Sequence, residues 1–219
     1  MALRYIHPKP NLALKESNNL LLIFTRNPEL GKCKTRLAAK VGDPSALEIY
    51  KFLLQHTVAI TQNLKMDKQV YYSNSIWEDD IWNPATYQKK LQKGEDLGMR
   101  MMRAFQEGFH SGYEKIIIIG SDMYDLSQAD LENAFDQLDK HDFVLGPAED
   151  GGYYLLGMRT LETSLFTGKA WGQDTVLRDT LGDLEGKNHS SLDKRNDVDH
   201  YEDIKDIEAF KPFLKHMKE

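Results

Sequence analysis

From Arg26 to Arg36 the chain reads Arg-Asn-Pro-Glu-Leu-Gly-Lys-Cys-Lys-Thr-Arg, so that four cations, Arg26, Lys32, Lys34 and Arg36, fall within eleven residues that also hold Pro28 and Gly31. Cations at this density call for an anion. Exposed backbone N–H groups at a helix start favour a phosphate, and Lys or Arg side chains add charge-assisted bonds. A solvated basic turn is the plainer alternative, but position directly after a strand-sized apolar run favours binding. Two familiar phosphate loops are excluded. A Walker A loop would need Gly at position 26 and Ser or Thr at position 33, which are Arg26 and Cys33, and no G-x-G-x-x-G follows the first apolar run. Cys33 is a poor nucleophile candidate, because no base can be assigned to it.

Three carboxylate groups complement this loop. Asp122 follows Ile116-Ile117-Ile118-Ile119-Gly120-Ser121, just beyond a presumed central strand, where open α/β sheets place ligands. It can hold a hard cation through oxygen, or serve merely as a turn residue. Glu149-Asp150-Gly151-Gly152-Tyr153 sets an acidic pair before two glycines. A plain hairpin explains that pattern as well as a ligand loop does, and Glu149 or Asp150 could position an acceptor or act as base. Asp197-Val198-Asp199 precedes a presumed helix. In extended chain the two carboxylates face one side and could share a metal or complete a site begun by Asp122; otherwise they are partners of the helix dipole. The seven histidines lack paired zinc-ligand spacing.

The elements that position these groups alternate. Leu20–Phe24 predicts a strand buried on both faces, the segment from Lys34 to Lys40 a short helix ended by Gly42, and Asp43 onward a longer helix. Strands are expected at 69–72, 115–119, 143–146 and 153–157, a short one at 190–192, and helices at 97–109, 128–138, 175–181 and 202–214, with Ser127 as an N-cap. Residues 74–93 show neither period. The order implies an α/β fold with helices on both faces of a mostly parallel sheet. Only six residues separate the strands at 146 and 153, which suits a hairpin and one antiparallel element.

Composition narrows the function. The 219 residues, 41% hydrophobic and 28% charged, suit one domain over 19–219, with 1–18 read as a tail or surface arm. A net charge of −6 disfavours a nucleic-acid surface. A lone Cys33, strand-sized apolar runs and no leader pattern point to a cytoplasmic protein without a membrane segment.

Taken together, Phe24-Thr25-Arg26-Asn27-Pro28, Gly31 to Leu37, Gly94-Glu95-Asp96-Leu97-Gly98, Gly120-Ser121-Asp122 and Gly146 to Tyr154 resemble one family. It is the bacterial glycosyltransferase-A-like group often called selenodomain-associated transferases, related to nucleotide-diphospho-sugar transferases. The resemblance implies a GT-A fold, phosphates against Arg26, Gly31, Lys32, Lys34 and Arg36, and base and ribose near Gly94, Asp96 and Gly98. It implies Mg2+ or Mn2+ on Asp122 with Asp199 or Asp197, and a small-molecule acceptor beside Asp150, Gly151, Gly152 and Tyr153. Lys34, Asp122 and Asp150 are the expected catalytic groups.

Glycosyl transfer from a sugar nucleotide is the leading expectation. Lys34-Thr35-Arg36-Leu37 is also similar to a segment of the phospholactate guanylyltransferases, which join a nucleoside monophosphate to a phosphorylated acid and are, with the molybdenum-cofactor guanylyltransferases, related to this family. Nucleotidyl transfer with release of pyrophosphate is therefore the alternative, and a non-catalytic nucleotide-binding protein a third. Relatives commonly read Gly-Ser-Asp-Cys-Pro, whereas Met123 and Tyr124 follow Asp122 here.

Overall fold

A run of apolar residues with no polar interruption can pair as a strand only where both faces of the sheet are covered. Leu20, Leu21, Leu22 and Ile23 meet that condition within strand β1 (Asn19–Thr25), each fully buried. Leu20 and Leu22 pack with Met101 and Phe105 of helix α3 (Leu97–His110), and Leu21 and Ile23 with Tyr50 and Leu54 of helix α2 (Asp43–Thr61). Each such side chain contributes roughly 2 kcal/mol from burial alone. The computed structural model describes residues 17–218. The expected arm thus lies outside the described residues except for Ser17 and Asn18.

Among the described residues seven strands form one sheet in the order β3-β2-β1-β4-β6-β5-β7. They are β1, β2 (Asp67–Tyr72), β3 (Gln88–Leu91), β4 (Lys115–Ile119), β5 (Phe143–Pro147), β6 (Tyr153–Met158) and β7 (His189–Ser191). Only β6 is reversed, inserted antiparallel between β4 and β5. This is the expected antiparallel element, and it makes β5 point the same way as β1 and β4. The carboxyl ends of those three strands, and the β5–β6 turn, therefore lie on one rim.

Helices α1 (Thr35–Val41), α2 and α3 follow the predicted order, with α4 (Gln128–Gln137) and α5 (Val176–Asp183) beyond them. Ser127 caps α4 in a reciprocal box with Asp130. Two segments depart from expectation. Residues 74–93 contain the edge strand β3, parallel to β2 and rich in lysine. The closing helix expected over 202–214 is replaced by two 3-10 segments, Tyr201–Asp203 and Glu208–Lys218. Pro212 lies within the second, and its missing N–H and its ring oppose an α-helix there. Phe210 and Leu214 still pack against Ile49 and Leu53 of α2. No helix among the described residues is long and apolar enough to cross a membrane.

Candidate functional site

The rim at the ends of β1 and β4 is organised by Tyr50, a buried residue of α2. Its hydroxyl accepts from the Arg26 amide at 2.9 Å, donates to the Arg26 carbonyl at 3.2 Å, and lies 3.2 Å from the Ser121 hydroxyl. Asn27, also buried, donates to the Ser75 carbonyl at 2.8 Å and accepts from the Asn74 amide at 3.2 Å. The loop after β1 is thereby tied to α2, to the loop after β2 and to the loop after β4. Backbone amides that would otherwise be orphaned are satisfied, so the loop has a fixed course.

That course ends at Lys34, whose φ of 50° puts it in the left-handed region, the one non-glycine described residue to do so. Such a conformation costs about 1 kcal/mol or more and persists only where the surroundings enforce it. Here it turns the side chain inward, leaving it 6% exposed with Nζ 2.8 Å from Asp122 Oδ2 and 3.8 Å from Asp199 Oδ1. Burial opposes the Lys34 charge, but Asp122 and then Asp199 outweigh it and hold the ammonium above its ordinary range. Asp122 responds in kind: burial raises its carboxyl, Lys34 lowers it, and the net shift is downward. Both groups stay charged. Arg36 Nη1 meets Asp199 Oδ2 at 2.7 Å. Helix α1 is only seven residues long, so the positive character of this corner comes from side chains and not from a helix dipole.

Asp197 and Asp199, expected to face one side in extended chain, line two adjoining pockets, though both act on the Lys34 charge. Val198 between them is buried and donates its amide to the Asp122 carbonyl at 3.4 Å. Asp199 then lines a pocket of about 650 Å³ with Arg26, Lys32, Lys34, Arg36 and Arg100. Asp197 lines a second pocket of about 240 Å³ with Asp150, Gly152 and Tyr153. Phe24, Leu97, Gly120 and Asp122 border both. Burial and the charge of Asp122 push the Asp197 carboxyl up to about 6, against the pull of Lys34.

The remaining sequence candidates fall in varied places. Lys32 stands at the lip, 66% exposed and paired with Glu29 at 2.5 Å, and Gly31 takes the left-handed turn before it with φ 71°. Asp96 caps α3 by accepting from the Met99 amide at 2.7 Å. Gly94 accepts from Arg100 Nε at 3.0 Å, and Gly98 lies so close to the 163–171 segment that a Cβ would stand 2.3 Å from the Phe166 carbonyl oxygen. From this stretch it is Gln92, Leu97 and Arg100 that reach the larger pocket. Asp150 accepts from the Gly152 amide at 2.8 Å, and Gly151 packs against Asp174. Cys33 is buried, and burial raises its thiol, so it is no nucleophile. Met123 lines the smaller pocket, whereas Tyr124 joins Phe52 and Phe210.

Asp122 and Asp199 suit a hard divalent cation in two respects. Their donors are carboxylate oxygens only, and both already approach a single positive atom, Lys34 Nζ. Among the described residues no group of three or more His, Cys, Asp or Glu side chains is assembled for a metal. A bound cation would thus draw remaining ligands from the donor phosphates and water, as is usual for Mg2+.

The reversed strand in a parallel sheet, with a basic loop after β1, defines the nucleotide-diphospho-sugar transferase, or GT-A, fold. A candidate nucleotide-diphospho-sugar transferase from Desulfovibrio desulfuricans G20 is similar to the chain with 29% identity and a TM-score of 0.80, over 92% of this chain and 96% of that one. A CMP:2-keto-3-deoxy-manno-octonic acid synthetase complexed with CTP shares the fold at 11% identity and TM-score 0.55, over 90% and 99%. Rv0371c from Mycobacterium tuberculosis H37Rv in complex with manganese does so at 12% and 0.52, over 91% and 99%. None of the curated proteins compared with the chain matches it. The chain belongs to the family described as "Uncharacterized protein conserved in bacteria (DUF2064)", whose model matches residues 54–173.

Proposed function

We propose that the protein is a transferase that takes a nucleotide-activated donor, a sugar nucleotide, in the larger pocket and passes its sugar to a small acceptor in the smaller one. One observation carries this: five cationic side chains, Arg26, Lys32, Lys34, Arg36 and Arg100, surround a pocket of nucleotide size that ends on the Asp122 carboxylate. In the transfer, the bond from the sugar carbon to the terminal phosphate oxygen breaks and its electron pair leaves with the nucleoside diphosphate. An acceptor hydroxyl forms the new bond, and its proton passes to Asp150 at the wall of the smaller pocket. Arg26, Lys34 and Arg36 stabilise the charge that grows on the diphosphate, already oriented by the clamped loop. Asp122 and Asp199 would hold Mg2+ or Mn2+, which would supply further positive charge at the leaving group. Lys34, now bonded to Asp122, would turn to the donor phosphates and leave both carboxylates to the cation.

A second reading, nucleotidyl transfer, is supported by the same five cations, which exceed what a diphosphate needs and could serve a triphosphate. The likeness to a CTP-bound synthetase adds to it. The two differ in product. Incubation with panels of sugar nucleotides and NTPs, with Mg2+ and with Mn2+, is expected to release nucleoside diphosphate from the former. Pyrophosphate from an NTP would replace the first reading by the second. Thermal stabilisation by nucleotides with neither product would reduce the protein to a binder.

A further inference from the structure

Among the described residues no cationic side chain lines the smaller pocket. Its charged lining residues are Asp122, Asp150 and Asp197, with no Lys, Arg or His among the rest. Asp122 is engaged by Lys34 from the neighbouring pocket. Asp150 spends Oδ1 on its own turn, through the Gly152 amide, and makes no described ion pair; neither does Asp197, on which the Lys34 already held by Asp122 acts without bonding to it. Around these carboxylates stand Phe24, Leu97, Met101, Tyr153 and Trp171. A wall of this kind offers a small molecule an apolar bed, aromatic faces that attract a cation, and two carboxylates without a fixed counter-charge.

We propose that this pocket selects its occupant by charge: it takes a small molecule with an apolar body and a protonated amine, and turns away phosphorylated or carboxylated ones, with Asp150 and Asp197 as the selecting residues. The inference rests on the smaller pocket being the acceptor site. An anion there would be desolvated against two like charges, whereas an ammonium finds opposite charge and ring faces at once. The chain is thereby set apart from the guanylyltransferases whose Lys34–Leu37 segment it resembles, because their acceptor is a phosphorylated acid. Shared donor chemistry on one side of Asp122 is combined with opposite acceptor charge on the other.

Three probes with a common hydroxyphenyl ring test the idea: tyramine, tyrosol and 4-hydroxyphenylacetate, which carry an ammonium, a hydroxyl and a carboxylate. Their binding to the full chain is measured by ligand-observed NMR at neutral pH and low salt. Tyramine is expected to bind most tightly and 4-hydroxyphenylacetate at least about tenfold more weakly. Asp150→Asn combined with Asp197→Asn closes that gap, chiefly by weakening tyramine, and Trp171→Ala weakens all three. Raised salt shrinks the gap in the unaltered protein, which keeps the test decisive if the double variant does not fold. Equal binding of the carboxylate, binding of none of the probes, or a gap that survives the double substitution and raised salt overturns the proposal. CTP and a sugar nucleotide with Mg2+ are titrated into the same samples. Loss of nucleotide binding with the charge preference intact counts against the donor reading alone, and the converse against charge selection alone.

Discussion

The two pockets share a floor at Gly120 and Asp122 but are walled by different parts of the chain with opposite charge. The larger is built chiefly from the first third of the chain, whose basic loop is fixed by hydrogen bonds from Tyr50 and Asn27 to backbone. The smaller draws mainly on later segments, the β5–β6 turn, residues 171–176 and Asp197, together with apolar residues of β1 and α3. Phosphate recognition, the role proposed for the larger pocket, needs several fixed donors at once, which a backbone-clamped loop can supply. Acceptor recognition, proposed for the smaller, can rest on shape and one sign of charge from side chains of separate loops. Asp122 belongs to both because it sits at the end of the central strand between them.

Substitution at that shared point should erase the distinction. Asp122→Asn is expected to lower turnover about a thousandfold and abolish metal-dependent nucleotide binding, since Lys34 also loses its nearest counter-charge. Product release and calorimetry measure the two, and unchanged nucleotide binding would remove Asp122 as a metal ligand. Next in size is Lys34→Ala, for which affinity for di- and triphosphates should fall about tenfold or more while nucleosides are spared. Equal losses for both would deny Lys34 its phosphate role. Tyr50→Phe should cost about 1 kcal/mol in denaturant unfolding, and nucleotide affinity several-fold, with tyramine binding intact. A parallel loss of tyramine binding would mean that the two walls are not independent. Smallest is Lys32→Ala. Lys32 itself is exposed and its partner Glu29 already offsets its charge, so the melting temperature should hold and nucleotide affinity drop less than about threefold.

These differences also explain what could be read from the chain beforehand. Leu20–Ile23 and Ile116–Ile119 announce central strands because nothing polar interrupts them, and Asp122 follows directly from its place after the second. The basic loop was legible for the same reason. Strand β3 was not: Gln88-Lys89-Lys90-Leu91 lies at the edge, where lysines are tolerated and guard against pairing with other chains, so no apolar alternation marks it. Lys89 is paired with Asp80 at 2.8 Å, a contact no local pattern reveals. Tyr50 read as one more core residue at helical spacing, because its hydroxyl acts across 24 residues on Arg26 and 71 on Ser121. Gly94, Asp96 and Gly98 form a spaced motif, in which Gly94 and Asp96 bond the first turn of α3 and Gly98 lies against Phe166 and Trp171, while Leu97 and Arg100 between and beyond them face the pockets. Trp171 had no local signal, since the residue it lies against, Gly98 of α3, is distant in the chain.

The contact at Gly151 bears on how the smaller pocket is entered. With φ at 87° and a missing Cβ whose place is 2.2 Å from the Asp174 carbonyl oxygen, the β5–β6 turn rests directly on the segment that carries Trp171 and Gln173. The Leu177 amide, donating to the Gly151 carbonyl at 2.8 Å, fastens the two together. These walls are joined like the two plates of one jaw. The two walls should therefore respond as one, so that straining the joint, as by Gly151→Ala, would displace both and alter residence in the pocket as a whole.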